Sequence, residues 1–379
     1  SLDGLAEAGD IGDALQLFVQ SARRVRPGFE LVDADLDAVV KICEMVRGVP
    51  LGIELAAAWV EMLTPSEISE EITRNLDFLE SESHDAPGRH RSIRAVFDYS
   101  WNLLSEEERA TFTRIAVFRG HFSRAAGQFV TGAGLRQLMA LVNKSLLRRT
   151  PDEGMYEIHE LSRQYAEEKL ENATDLETIR DSHSTYYLNT LAERSSEIFG
   201  RNSQELLERI EKDIENVRAA WKWAVKRGHA QLLRGAAKVL DIYFDLRGQS
   251  DQADTLFDAA EEAIRALPAS PERDAALGTV IGAHCRLMIS ARVPAKSKIL
   301  LDQMKGGLLN AQWTPFEKVF YAETIASYEL IFGEPTSIRA LLEETLADAE
   351  KNKDLLGQLL CNISLSRSYW YRLSGERVD

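Results

Sequence analysis

Turn signals recur through the second half of the chain at an almost constant interval. Gly248, the neighbourhood of Arg292, Gly333 and Gly375 stand about 42 residues apart. No other feature restricts the fold as much. A segment of that size is one supersecondary unit, too small to bury its own apolar face, so neighbouring units must stack and share a core. Between the turns the apolar residues keep helical spacing. Leu240, Tyr243 and Phe244 precede the first turn, Leu330 and Phe332 a later one, and Tyr369, Trp370 and Tyr371 the last. Each unit reads as two antiparallel helices, with the aromatic residues in the shared core. Upstream, Leu207, Ile210, Ile214, Val217, Trp221 and Ala224 form one long apolar stripe ending near Gly228. The expectation is a helical solenoid over residues 175–379 that binds a protein or small-molecule ligand on its concave face.

The first half reads as short helices punctuated by proline and glycine. Leu17, Val19, Ala22 and Val25 give a helix from Asp13 to Val25, ended by Arg26-Pro27-Gly28. Asp33 or Asp35 can cap the next helix, whose stripe is Leu36, Val39, Val40, Cys43 and Val46, with Gly48 as its stop. Pro50 opens a third helix at the position that tolerates proline best. From Leu51 to Leu63 that helix is apolar nearly all round and is expected to be buried, with Glu54 at its rim. Thr64-Pro65-Ser66 starts a fourth, to about Phe78. Glu80 to His90 is a polar linker. Ile93, Val96, Phe97, Trp101 and Leu104 then resume helical spacing. Ser105 and Glu108 form a capping box for the following helix, and Gly120 stops it. Ser123 caps another, and Leu135, Leu138, Leu141 and Val142 mark one more.

A change of period follows. Leu146 to Thr150 reads as a strand, Pro151-Asp152-Glu153-Gly154 as a turn, and Met155 to Ile158 alternates like a half-buried partner strand. From His159 the spacing is helical, with Leu161 and Tyr165, then Ala166 and Leu170, on one face. A hairpin that follows several helices and runs into another is the wing of a winged helix. His159 sits where strand becomes helix.

Three motifs carry a family resemblance. Ile158-His159-Glu160, with Arg163, Tyr165 and Ala166 behind it, resembles the Met-His-Asp motif of the NB-ARC branch of STAND signalling ATPases in its bacterial form. Gly48-Val49-Pro50-Leu51 resembles the GxP or GLPL motif of that family's small helical subdomain. The runs 85–105 and 115–123 are similar to the winged-helix segment of bacterial STAND regulators, the large antibiotic-regulator and LuxR-type proteins. The resemblance implies a mainly α fold: a helical subdomain at 1–80, a winged-helix domain with a small β-hairpin at 89–172, and a TPR-like α-solenoid at 175–379. The period is longer than that of the ideal tetratricopeptide but typical of its relatives. The resemblance also implies that His159 contacts the β-phosphate of ADP and holds the protein closed, while Pro50 packs against adenine. The cofactors are ADP or ATP with Mg2+ in the full-length parent, whose active form is a homo-oligomer.

Chemistry within the chain is sparse. No Gly-x-x-x-x-Gly-Lys-Ser/Thr loop occurs, so the chain is expected not to be an enzyme and to bind no nucleotide tightly by itself. No Cys-x-x-Cys or His-x-x-x-His spacing suggests a metal site, and no catalytic residue is assigned. The net charge of −15 argues against a broad nucleic-acid surface. The alternative is a DNA-binding winged-helix transcriptional regulator, with Arg136, Lys144, Arg148 and Arg149 placed for phosphate contacts. Cys43, Cys285 and Cys361 are far apart and fit a reducing cytoplasm. No apolar run is long enough to span a bilayer and the N-terminus lacks a signal-peptide pattern, so the expected setting is cytoplasmic, without a membrane partner. The abrupt start and stop suggest a piece of a longer protein.

Overall fold

The computed structural model describes residues 4–46, 48, 50–74, 93–144, 146–150, 154–158, 160–195, 197–199, 203–307, 313–333 and 338–374. Its contacts fall into two units, Ser1–Arg180 and Asp181–Asp379. The first opens with α1 (Gly4–Val25), α2 (Asp33–Met45), α3 (Pro50–Ala58), a 3₁₀ turn (Trp59–Glu61) and α4 (Pro65–Arg74). α1 packs on α3, and α2 on α4. The core between them holds Phe18, Ala22, Val39, Ile42, Cys43, Ile53, Ala57, Val60, Ile68 and Ile72. Thr64 caps α4 reciprocally: its hydroxyl accepts from the Glu67 N–H at 3.3 Å, and its own N–H donates to Glu67 Oε2 at 2.8 Å.

Several local expectations need correction here. The buried face of α1 is Ala14, Phe18 and Ala22, while Val25 is exposed. α2 is preceded by Val32 and has no side-chain cap, so neither Asp33 nor Asp35 plays that part. Both aspartates instead lie in the first turn, where carboxylates suit the helix dipole. Leu36 is exposed, and the α2 stripe runs through Val39, Ile42, Cys43 and Val46. α3 does not continue to Leu63 but tightens into the 3₁₀ turn after Ala58.

The rest of the first unit is α5 (Ile93–Asn102), α6 (Glu106–Ile115), β1 (His121–Ser123), α7 (Arg124–Thr131), α8 (Leu135–Asn143), β2 (Arg148–Arg149), β3 (Met155–Glu157) and α9 (Glu160–Glu171). The three strands form one antiparallel sheet in the order β1-β3-β2. Helix, strand, two helices and a two-stranded wing is the winged-helix order. The Ser105–Glu108 capping box and the Ser123 cap are both present. Gly154 closes the wing with φ of 73°, a conformation that glycine adopts without penalty. Strand β1 was not expected. It consists of three residues whose only buried member is Phe122, and it exists because β3 pairs with it, Tyr156 opposite Phe122. Phe122 stacks on Phe118 at 4.2 Å and on Tyr156 at 5.9 Å, which ties α6's end to the sheet.

The second unit takes up α10 (Leu176–Glu193) from Asp181 onward. It continues with α11 (Ser203–Arg227), α12 (Ala230–Leu246), α13 (Ser250–Arg265), α14 (Pro271–Ser290), α15 (Pro294–Gly307), α16 (Pro315–Ile331), α17 (Ile338–Lys351) and α18 (Leu355–Ser374). From α11 to α15, and again from α16 to α18, each helix packs on the next, and α12, α14, α16 and α18 also pack on one another in series. This is the stacked-pair pattern of a TPR-like solenoid. Turns fall where the period places them: Gly248 and Arg292 have φ of 65° and 58°, and Gly333 follows α16. Gly375 lies outside the described residues, as do the side chains of Trp370 and Tyr371. Of the aromatic residues expected in the core, Tyr243 and Phe244 are buried and Phe332 is half-buried, but Tyr369 is exposed; Trp221 and Phe257 are buried with the first two. On α11 the stripe begins at Leu206, not Leu207.

Candidate functional site at the strand-to-helix junction

His159 lies outside the described residues, between buried Ile158 and the first residue of α9. Pro50 is the first residue of α3, and its side chain is likewise outside the described set. Gly48, two residues earlier, has φ of 64°. The described helix next to this junction is α9, which begins at Glu160.

The helix is anchored by charge on one side. Arg163 is 8% exposed, so its guanidinium needs partners. It grips Glu160 through two bonds, Nη2 to Oε1 at 2.7 Å and Nε to Oε2 at 2.9 Å, and its Nη1 donates to Glu167 Oε2. Arg119 reaches the same Glu167 at 2.9 Å and donates to the carbonyls of Ala116 and Phe118. Burial pushes the Glu160 and Glu167 carboxyls up, but the guanidinium charges and hydrogen bonds outweigh it and hold both below the usual range.

On its other sides α9 is anchored by aromatic and amide groups. Tyr165, fully buried, donates to Asp98 Oδ1 at 2.7 Å and stacks on Phe97 at 5.4 Å. Lys169 Nζ sits 4.8 Å from the centre of the Tyr165 ring. Gln164 Nε2 donates to the Thr73 carbonyl of α4 at 2.5 Å, joining α9 to the N-terminal helices. One helix therefore holds together the N-terminal bundle, α5 and the loop after α6. Gln164, Tyr165 and Glu167 are its outward fastenings, while Arg163 ties Glu160 and Glu167 together within the helix, roles that sequence spacing alone did not reveal.

The donor chemistry at the start of α9 suits an anion. A helix N-terminus presents unsatisfied N–H groups and a positive dipole end. Among the described residues, the buried Ser162 hydroxyl on its first turn has no hydrogen-bond partner.

The residues considered for DNA contacts are dispersed. Lys144 is engaged by Glu108 at 2.5 Å and by the Leu103 carbonyl at 3.2 Å. Arg136, Arg148 and Arg149 are exposed, Arg148 lying 3.7 Å from Glu157. The exposed face of α8 carries apolar Leu135 and Met139.

Known proteins bear on this geometry. No family model matches the chain. A protein of Mycobacterium tuberculosis described as a "Putative HTH-type transcriptional regulator" is 34% identical over 242 residues, 61% of this chain and 27% of its own length. A Mycobacterium bovis protein of the same description matches to the same extent. The chain resembles regulators of this kind. An uncharacterised M. bovis protein is 35% identical over 179 residues, 44% of this chain and 45% of its own length. The chain thus spans about a quarter of the regulators it matches. Among solved structures, the STAND protein with a tetratricopeptide repeat sensor from Pyrococcus horikoshii aligns with a TM-score of 0.40 and 16% identity, over 86% of this chain and 51% of that one.

In the second unit, charged groups are gathered between helices. Asp241, fully buried on α12, accepts from Arg286 of α14 at 2.5 and 2.7 Å. His284, also fully buried, faces Glu261 at 2.8 Å through Nδ1 and Asp254 at 2.6 Å through Nε2. Asp254, Asp258 and His284 offer ligand atoms within 4.8 Å of one another. Lys296 Nζ already lies 2.7 Å from both aspartates, so the group reads as an ion-pair cluster joining α13, α14 and α15. No helix among the described residues is long and apolar enough to cross a membrane.

Proposed function

We propose that the chain is the lid and sensor portion of a bacterial STAND-type regulator. In this reading the N-terminal helices and winged helix close over an ADP held by a nucleotide-binding core elsewhere in the whole protein. The repeats bind the signal, the chain itself hydrolyses no ATP, and the active whole protein is a homo-oligomer. The observation that carries the reading is α9. Gln164 fastens it to α4, Tyr165 to α5, and Glu167 to Arg119 after α6, so the helix that begins at Glu160 joins both helical groups of the first unit. The relatives described as regulators of transcription support it.

A bound nucleotide would supply a phosphate charge. The chain's part is to present a donor to it from the start of α9, and an adenine-facing apolar group from the start of α3. A hydrogen bond to a charged group contributes about 1.5–3 kcal/mol, so losing it weakens binding by about one to two powers of ten. If the bond exists only in the closed state, the open state gains by the same amount. His159→Ala in the whole protein is therefore expected to speed ADP release by that factor and to raise ligand-free activity. Unchanged release with unchanged basal activity refutes the reading.

The exposed Arg136, Arg148 and Arg149 favour a second reading, in which this winged helix contacts DNA itself. It requires a salt-dependent shift of duplex DNA by the chain. The acidic net charge of −15 and the apolar face of α8 weigh against it.

A further inference from the structure

The helices α12, α14, α16 and α18 repeat one register. Arg234, the fifth residue of α12, meets Glu317 of α16 across the intervening α14 through two bonds of 2.6 and 2.5 Å. Lys238, the ninth, places Nζ 5.7 Å from the centre of the Phe320 ring of α16. On α14 the ninth residue, Thr279, donates to the same Glu317 at 2.8 Å. On α16 the fifth residue, Val319, shares a buried cluster with Cys361 of α18, and the ninth, Glu323, accepts from the Ser364 hydroxyl of α18. The face through positions five and nine therefore points forward in each helix, toward the next pair of the stack. Position eight lies on the same side of the helix and is buried at Ala237, Gly278 and Ala322.

α18 presents this face to solvent. Its fifth residue, Leu359, is 56% exposed and its ninth, Ile363, 40%, whereas Ala275 and Val319 at the fifth position of α14 and α16 are 0% and 1% exposed. Asn362, the eighth, is exposed as well. Leu355 extends the row by one turn, so three large apolar side chains stand in line at intervals of four. Apolar residues exposed singly are ordinary, but an aligned row on a face that the preceding members of the series cover marks an interface.

The path of the chain selects the occupant. After α14 the chain turns at Arg292 and enters α15, which packs back on α14. After α16 it passes Gly333 and enters α17, which packs on α16. Gly375, directly after α18, is the next turn signal of that period. A segment leading on from it reaches the exposed face without a diffusional search, an advantage in effective concentration that a second copy of the chain lacks. Residues 375–379 are too few for a helix pair of about 40 residues.

We propose that the α18 face seats a further antiparallel helix pair, formed by the residues that follow Gly375 in the whole protein, its apolar stripe against Leu359 and Ile363. The inference concerns the repeats alone and does not depend on the nucleotide reading.

Hydrogen exchange of residues 355–374, compared between this chain and the whole protein, tests it. Exchange is expected to be at least about tenfold slower in the whole protein. Leu359→Lys changes a residue that is exposed in this chain, so here it is expected to leave the thermal midpoint and α18 exchange unchanged. In the whole protein the same substitution is expected to remove the added protection, while Met62→Lys, at an exposed residue of the first unit, leaves it intact. The proposal is overturned by equal exchange in the two proteins, by protection that survives Leu359→Lys, or by a gene whose coding sequence stops within a few codons of Asp379. Concentration-dependent dimerisation of this chain that Leu359→Lys abolishes, with α18 unprotected in the monomeric whole protein, overturns it in favour of a second copy.

Discussion

Replacing Arg163 by methionine keeps most of the aliphatic stem of a buried side chain and removes the charge that holds Glu160 and Glu167 on α9. Removing one partner of a buried pair costs about 3–5 kcal/mol when the other is stranded away from water. Here the Glu160 and Glu167 side chains are 37% and 23% exposed, and Glu167 keeps Arg119 at 2.9 Å. Both carboxylates can therefore recover hydration, and the expected loss falls to about 2–3 kcal/mol. It is concentrated in α9, so the assay is amide hydrogen exchange of residues 160–171 at neutral pH, followed by mass spectrometry. Exchange there should accelerate by about two powers of ten. The sign of the pH dependence is fixed by the depressed carboxyl pKa values. Their stabilisation is fully present above the ordinary carboxylate pKa of about 4.3 and is lost as pH falls through the lower folded-state values. The gap between parent and variant should accordingly narrow in acid. An acceleration below about twofold at neutral pH would mean that Arg163 does not anchor the helix.

Asp213 makes the opposite case. Its Oδ1 is buried without a partner among the described residues, and burial pushes its carboxyl up to about 6 against the pull of Arg209 and Lys212. A folded pKa raised above the unfolded one means that ionisation costs stability, beginning above about pH 4 and complete above the folded value. Asp213→Asn is expected to raise stability by about 1–2 kcal/mol at pH 7 and to leave it unchanged near pH 3, measured as thermal midpoints; equal gains at both would contradict the cause given. Gly127→Ala places a Cβ 3.1 Å from the Phe122 ring, which is stacked on both Phe118 and Tyr156. The squeeze should outweigh the helix-propensity gain of about 1 kcal/mol and give a net loss of similar size, and a more stable variant in urea unfolding would show that the ring can yield.

Local rules and long-range contacts account for what could be read in the sequence and what could not. The Ser105–Glu108 box, the Ser123 cap, the Gly154 turn and the turns at Gly248 and Arg292 depend on residues within a few positions of one another. Each was legible for that reason. Strand β1 depends on a partner more than thirty residues away, and three residues carry too little pattern to mark it. α2 has no side-chain cap because its N-cap position falls on Val32, which carries no hydrogen-bonding side chain. The site divides in the same way. The passage from β3 into α9 follows from the change of period, but Arg163 in a run of Glu and Arg looks like a solvated helix face until Arg119, from a loop 44 residues earlier, is brought beside Glu167. Arg234 and Glu317 are 83 residues apart, and no spacing rule connects them.

In a stack where each unit touches only its neighbours, folding energy is a sum of local terms, and one end can melt while the other persists. The contact from α12 to α16 breaks that independence. It is a next-nearest-neighbour coupling, so three successive helix pairs share one free-energy term. Fraying that starts near α18 should stop at α16, because opening α16 also strips Arg234 of its carboxylate two layers away. The middle of the solenoid then behaves as a single cooperative block with a looser end.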